Sequence, residues 1–150
     1  MKEAFMNAFP RLAKSLGASQ VDALLRVTRL VDLPAERILF RDRMPVESIF
    51  MVLSGRLAVT VGEGERSVAL GEVGAGEWLG EVSVLSGSMT AAATVRTLSP
   101  CRALKLHYQD FDRLIRDNDQ LASTLLADLI ELLAARLRVS AAATGQQWGA

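Results

Sequence analysis

Between residues 30 and 106, glycine and proline cut the chain into apolar runs of only three to five residues, a spacing that reads as short strands. Val31 and Leu33 alternate with polar neighbours before Pro34. Ile38, Leu39 and Phe40 form the next run, and residues 49–53 an unbroken one bounded by Pro45 and Gly55. Leu57, Val59 and Val61 alternate with Ala58 and Thr60 and lead into Gly62-Glu63-Gly64-Glu65, a hairpin turn, followed by residues 68–70. Residues 94–97 and 103–106 complete the set. Turn signals recur about every 8–12 residues, the spacing of an all-β sandwich or barrel.

Helical periods flank this region. Phe5, Phe9, Leu12 and Leu16 recur at four, three and four residues on one helix face, with Pro10 forcing a restart near Arg11 and Gly17 ending the segment. Ser19 and Asp22 read as a capping box that opens a further helix carrying Val21, Leu24 and Leu25. After the strands, Phe111, Leu114 and Ile115 mark a short helix that pauses at Asp117-Asn118-Asp119. A longer helix over residues 120–142 carries Leu121, Leu125, Leu126, Leu129, Ile130, Leu132, Leu133 and Leu137, a stripe broader than one contact face needs. The chain thus divides into a helical segment (1–29), a strand region (30–106), C-terminal helices (107–142) and a small, polar tail (143–150) whose Trp148 suggests docking on a neighbour.

Composition narrows the function. Seventeen basic and 17 acidic residues give no net charge, which argues against a dedicated nucleic-acid binder or an electrostatic membrane anchor. The N-terminus lacks the apolar run of a secretory signal, and no stretch approaches the roughly 20 apolar residues of a membrane span. With Cys101 as sole cysteine no internal disulfide forms, and a cytoplasmic location is expected. Cys101 reads as core filler and His107, the sole histidine, as a surface or capping residue, so no metal cluster, cofactor or catalytic triad is expected.

Chemistry concentrates in residues 76–95. There a tight turn at Gly76 and Gly80 precedes a very short helix from Glu81, then a loop of small residues. A helix start presents backbone amides to an anion, Gly80 permits close approach, and Glu81 suits a sugar hydroxyl. The bland readings are a dipole-favoured surface carboxylate at Glu81, turn glycines, a space-filling Ser83 and a core-packed Trp78 rather than one covering a base.

Several stretches in register resemble the cyclic-nucleotide-binding domain of catabolite-activator-type regulators, protein kinase A regulatory subunits and cyclic-nucleotide-gated channels. They are Val52-Leu53-Ser54-Gly55-Arg56, Leu70-Gly71-Glu72-Val73-Gly74-Ala75-Gly76, Trp78-Leu79-Gly80-Glu81, Ala93-Thr94-Val95-Arg96 and Cys101-Arg102-Ala103-Leu104-Lys105-Leu106 ahead of Phe111. The resemblance spans residues 30–137. It implies a mainly β fold, a double-stranded β-helix or jelly-roll-like β-roll with N-terminal and C-terminal helices, acting as a non-enzymatic sensor of cAMP or cGMP. By that resemblance Gly80, Glu81, Val82, Ser83, Thr90, Ala91 and Ala92 line the ligand site. The amides near Val82 and Ser83 hold phosphate, and Glu81 takes the ribose 2′-hydroxyl.

Two departures accompany it. The family places an arginine late in this phosphate-binding cassette. Counting back from Val95 puts it at Ala91, and counting forward through the shorter form of the motif puts it at Thr90. Neither is charged, Arg96 lies past the cassette, and the loss of one charge-assisted hydrogen bond implies binding weaker by roughly 10- to 150-fold. Many members also carry a glycine and an aspartate in the turn ahead of residue 49, where this chain has Arg43 and Glu47. The broad leucine stripe either covers the roll or, as the resemblance to the bacterial regulators implies, forms a homodimer seam through the last helix, and with no helix-turn-helix before Ala150 no DNA contact is expected of this chain. The alternative is a degenerate fold kept as a protein–protein interaction or dimerisation module without nucleotide.

Overall fold

Pro10 and Gly17 divide the N-terminal apolar stripe into three helices, α1 (Lys2–Ala8), α2 (Pro10–Leu16) and α3 (Ala18–Arg26), in a computed structural model that describes residues 1–62 and 64–144. Pro10 sits in the first turn of α2, where its missing N–H deprives no carbonyl of a partner. The expected capping box is absent. Helix α3 starts at Ala18 with Gly17 as its cap residue and no side-chain capping bond, so Ser19 is already inside the first turn. Asp22 instead pairs with Lys2 of α1 at 2.9 Å.

Eight strands follow: β1 (Arg29–Leu33), β2 (Ile38–Phe40), β3 (Ser48–Ser54), β4 (Leu57–Val61), β5 (Val68–Val73), β6 (Trp78–Leu79), β7 (Thr94–Thr97) and β8 (Cys101–His107). They form two four-stranded antiparallel sheets, ordered β1-β8-β3-β6 and β2-β7-β4-β5, the two walls of a jelly-roll-like β-roll. Every strand expected from the sequence is present. Strands β5 and β8 run longer than their apolar runs, and two-residue β6 was not anticipated, since Trp78 and Leu79 are too few to show a period.

Strand β3 explains its own unbroken hydrophobicity. Side chains alternate across a strand, and both faces of this one are covered. Ile49, Met51 and Leu53 join Trp78, Leu104 and Leu106 in a core shared with the helices. Phe50 and Val52 join Leu57, Val73, Leu79, Val95, Cys101 and Ala103 between the sheets. Cys101 is the core filler expected. Gly55 turns the chain out of β3 at φ 95°, and a Cβ there would lie 2.5 Å from the Cys101 sulfur and 2.6 Å from the Pro100 carbonyl.

The chain then enters α5 (Tyr108–Asp117), where His107 Nδ1 accepts the Gln109 N–H at 3.2 Å, a capping role. Helix α6 (Asp119–Thr144) follows, two residues beyond its expected end. Asn118 starts it, its Oδ1 accepting the Leu121 N–H (3.1 Å) while its amide donates to Gln20 of α3 (2.8 Å). Leu121, Leu125 and Leu129 are buried against the N-terminal helices, whereas Ile130 is 66% exposed. The side chain of Leu137, Glu63 and residues 145–150 with Trp148 lie outside the described residues. Among the described residues, no helix is long and apolar enough to cross a membrane.

Trp78 is buried between β6 and the helices, packed edge-on to Phe9, and its indole N–H donates to Asp128 of α6 at 3.3 Å. Burial pushes the Asp128 carboxyl above its usual pKa, opposed by the Trp78 bond; Glu131 adds to the rise and Arg11 counters it. A folded-state pKa above the unfolded value means that the folded chain holds the proton more tightly. This contribution to stability is full below the unfolded pKa and is lost as pH rises through the folded one. Asp128→Asn keeps an acceptor for the indole without the charge. Its melting temperature is therefore expected to gain on the parent's as pH is raised from about 4 to about 7; a constant gap in paired thermal melts contradicts this account.

Candidate functional site

The candidate site begins where β6 ends. Gly80 takes φ 82°, ψ −5°, and a Cβ there would lie 2.6 Å from the Ser48 carbonyl and 3.1 Å from the Phe40 ring. Only glycine combines this left-handed backbone with so close an approach to the sheet. The chain then makes the six-residue helix α4 (Glu81–Ser86), the very short helix expected after the tight turn, and leaves it through a second left-handed glycine, Gly87. The first helical bond runs from the Val84 N–H to the Gly80 carbonyl at 3.1 Å. The amides of Val82 and Ser83 therefore lie ahead of it, in the turn where helical geometry offers no acceptor.

The seven expected site residues occupy one neighbourhood with different exposures. Glu81 is 2% exposed, so it is no surface carboxylate, while Val82 on the same turn is open to solvent. Ser83 is buried and its hydroxyl donates to the Thr90 carbonyl at 2.6 Å, and its own carbonyl accepts the Met89 N–H at 3.1 Å. That hydroxyl fastens α4 to the small-residue loop. Thr90 and Ala92 are exposed, and Ala91 between them is buried.

The turn between β2 and β3, where Arg43 and Glu47 depart from the resemblance, reaches beyond its own neighbours. In the fold, residues 41–46 lie along the far side of the cassette. The Arg43 N–H donates to the Ala91 carbonyl (2.9 Å), the Ala91 N–H to Met44 (2.8 Å) and the Val46 N–H to Met89 (2.8 Å). Pro45 and Thr90 form a bridge, and the Asp42 N–H donates to Thr94 Oγ1 at 3.0 Å. Val46 also bounds the space above Gly80. No local signal announces this pairing.

The electrostatics are one-sided. Residues 76–95 contain no lysine or arginine. Of their two carboxylates, Glu77 accepts the Gly74 N–H at 2.7 Å and Glu81 is buried. Arg96, just beyond, is held by Glu36 at 2.6 Å. The arrangement presents backbone dipoles to an anion, with a buried carboxylate beside them and no cation from the cassette itself.

A sequence model of the family described as the cyclic nucleotide-binding domain matches residues 30–118. The CRP-like protein Clp of Xanthomonas oryzae pv. oryzae is 28% identical over 111 residues, covering 73% of this chain and 47% of that protein. The chain thus spans about half the length of the curated relatives it matches. Among solved structures, a cyclic nucleotide-binding domain from Methylobacillus flagellatus superposes with a TM-score of 0.81 at 21% identity, over 93% of this chain and 81% of the other. The c-di-GMP responsive global regulator CLP of Xanthomonas campestris does so with a TM-score of 0.73 at 24% identity, over 81% and 59%. These two likenesses are of fold.

The local geometry predicts two stability effects. Gly80→Ala forces a side chain into a left-handed backbone against the Ser48 carbonyl and is expected to cost about 1–3 kcal/mol. Ser83→Ala leaves the Thr90 carbonyl without its hydroxyl donor and should cost about 1 kcal/mol. Urea unfolding measures both, and a Gly80→Ala protein as stable as its parent rules out the close approach.

Proposed function

The chain belongs to the cyclic nucleotide-binding domain family, and from that premise we propose that it is a sensor domain for a 3′,5′-cyclic nucleotide, cAMP ahead of cGMP. The family is one of regulatory rather than catalytic domains. One observation carries the reading: a left-handed Gly80 opens a helix that bears the buried Glu81 and that the Ser83 hydroxyl fastens to the loop of Thr90, Ala91 and Ala92. In this reading the amides of Val82 and Ser83 receive the cyclic phosphate and Glu81 accepts from the ribose 2′-hydroxyl. Thr90, Ala91 and Ala92 form the opposite wall, small enough to admit the ligand.

Residues 30–106 then form the sensing roll, with the cassette at 76–95, and residues 107–142 the reporting helices. Helix α6 closes over the base and shifts its contacts with a partner, so ligand and partner affinities are coupled reciprocally. The exposed Ile130 supports a homodimer seam along this helix in a cytoplasmic protein. No metal or catalytic group is needed. A second reading rests on Ala91, whose methyl carries no charge where the resemblance calls for an arginine: a fold that kept its shape as an interaction module and lost the nucleotide.

Titration calorimetry and thermal melts with cAMP, cGMP and cyclic di-GMP separate these readings. The sensor reading expects saturable heat and a raised melting temperature with cAMP, and a loss of roughly 10-fold or more with Glu81→Ala. A preference for cyclic di-GMP keeps the sensor role and reassigns the ligand. No heat and no thermal shift at millimolar nucleotide, in the parent and in Ala91→Arg alike, leave the interaction module.

A further inference from the structure

A phosphodiester anion held by the amides of Val82 and Ser83 alone would be stabilised by dipoles without a countercharge, because residues 76–95 supply no cation. An alternative source is the loop of residues 41–46. It pairs with Met89, Thr90, Ala91 and Thr94 and, through Val46, bounds the space above Gly80, so it touches both walls of the cassette. Arg43 sits at the centre of this contact, its backbone N–H on the Ala91 carbonyl at 2.9 Å.

Arg96, Lys105, Asp42 and Glu47 nearby have partners of their own. Arg96 is paired with Glu36 at 2.6 Å, and Lys105 Nζ lies over the Phe50 ring, 6.0 Å from its centre. Asp42 directs a carboxylate oxygen toward the Gly62 N–H at 3.5 Å, and Glu47 lies 3.9 Å from His107 Nε2. Arg43, in contrast, is exposed and forms no ion pair among the described residues. Arg41 shares the loop, but the bonds between loop and cassette are made by Asp42, Arg43, Met44 and Val46, while the Arg41 carbonyl accepts the Met44 N–H at 2.9 Å within the loop. Arg43 also holds φ 70°, a backbone state that suits glycine and disfavours any residue with a Cβ. Local conformation gives no reason for arginine there.

We propose that Arg43 supplies the positive charge the cassette lacks, its guanidinium swinging across Ala91 onto the phosphate of a bound cyclic nucleotide. The flat fork of N–H groups matches two phosphate oxygens, and Ala91, which bonds the Arg43 backbone, is too small to occupy the phosphate's place itself. This inference rests on the sensor reading given above, and the cation now enters from the loop instead of from the cassette.

Arg43→Gly tests it sharply, since it removes the charge and relieves the left-handed strain together. The free protein should melt at or above the parent's temperature, while its affinity for cAMP, and for cGMP where that binds, falls roughly 10- to 150-fold in calorimetry. Arg43→Lys should fall between the two. Placing the charge in the cassette instead, as Arg43→Gly with Ala91→Arg, should restore binding. An Arg43→Gly protein that binds cAMP as the parent does overturns the role of Arg43, and leaves the sensor reading standing if the parent or Ala91→Arg binds. Absence of binding to either nucleotide by both of those proteins sinks the two together.

Discussion

The burial of β3 on both faces organises everything else in this molecule. Its odd-numbered apolar residues from Ile49 to Leu53 anchor the helices, and Phe50 and Val52 anchor the opposing sheet. A strand covered on both sides cannot slip by one residue without exchanging the two cores, so its register with β8 and β6 is strongly specified. The Phe50–Leu79 pairing in turn places Gly80 over the Ser48 carbonyl, and the direction of the cassette follows from that contact.

The cassette is held from two sides rather than standing alone as a loop. Ser83 fastens α4 to the Thr90 carbonyl, and residues 41–46 run along the other side of the same segment. On the helical side, Trp78 immediately precedes Leu79 and Gly80 and reaches Asp128 on α6. A change in the cassette is therefore in covalent and hydrogen-bonded contact with the helix that carries the exposed Ile130. Such a chain of packed groups is a physical route for coupling a pocket to a partner surface.

Charge plays little part in the fold and a large part in the site. The ion pairs among the described residues lie at the surface, where each contributes about 0–1 kcal/mol. In the cassette, by contrast, the anion-binding capacity comes from oriented amides, and the balance depends on where a single cation is drawn from. An arginine on a facing loop and one within the cassette differ in backbone and path, yet they deliver the same group to the same space.

Much of the architecture was legible in the sequence because its causes are local. Turn residues bounded the strands, Pro10 and Gly17 split the first helices, and His107 read as a cap because a helix start needs an acceptor. Gly80 and Glu81 were recognisable because a tight turn followed by a helix leaves a pattern within a few residues. The capping box at Ser19 misled since a left-handed Gly17 had already set the helix start, and β6 escaped because two residues have no period. What only the tertiary structure decided is the company these residues keep: that Arg43 lies against Ala91, that Ser83 bonds Thr90, and that Trp78 meets Asp128. Side-chain period and turn chemistry act over a few neighbours along the chain, whereas the meeting of distant segments is set by how the sheets and helices fill space together.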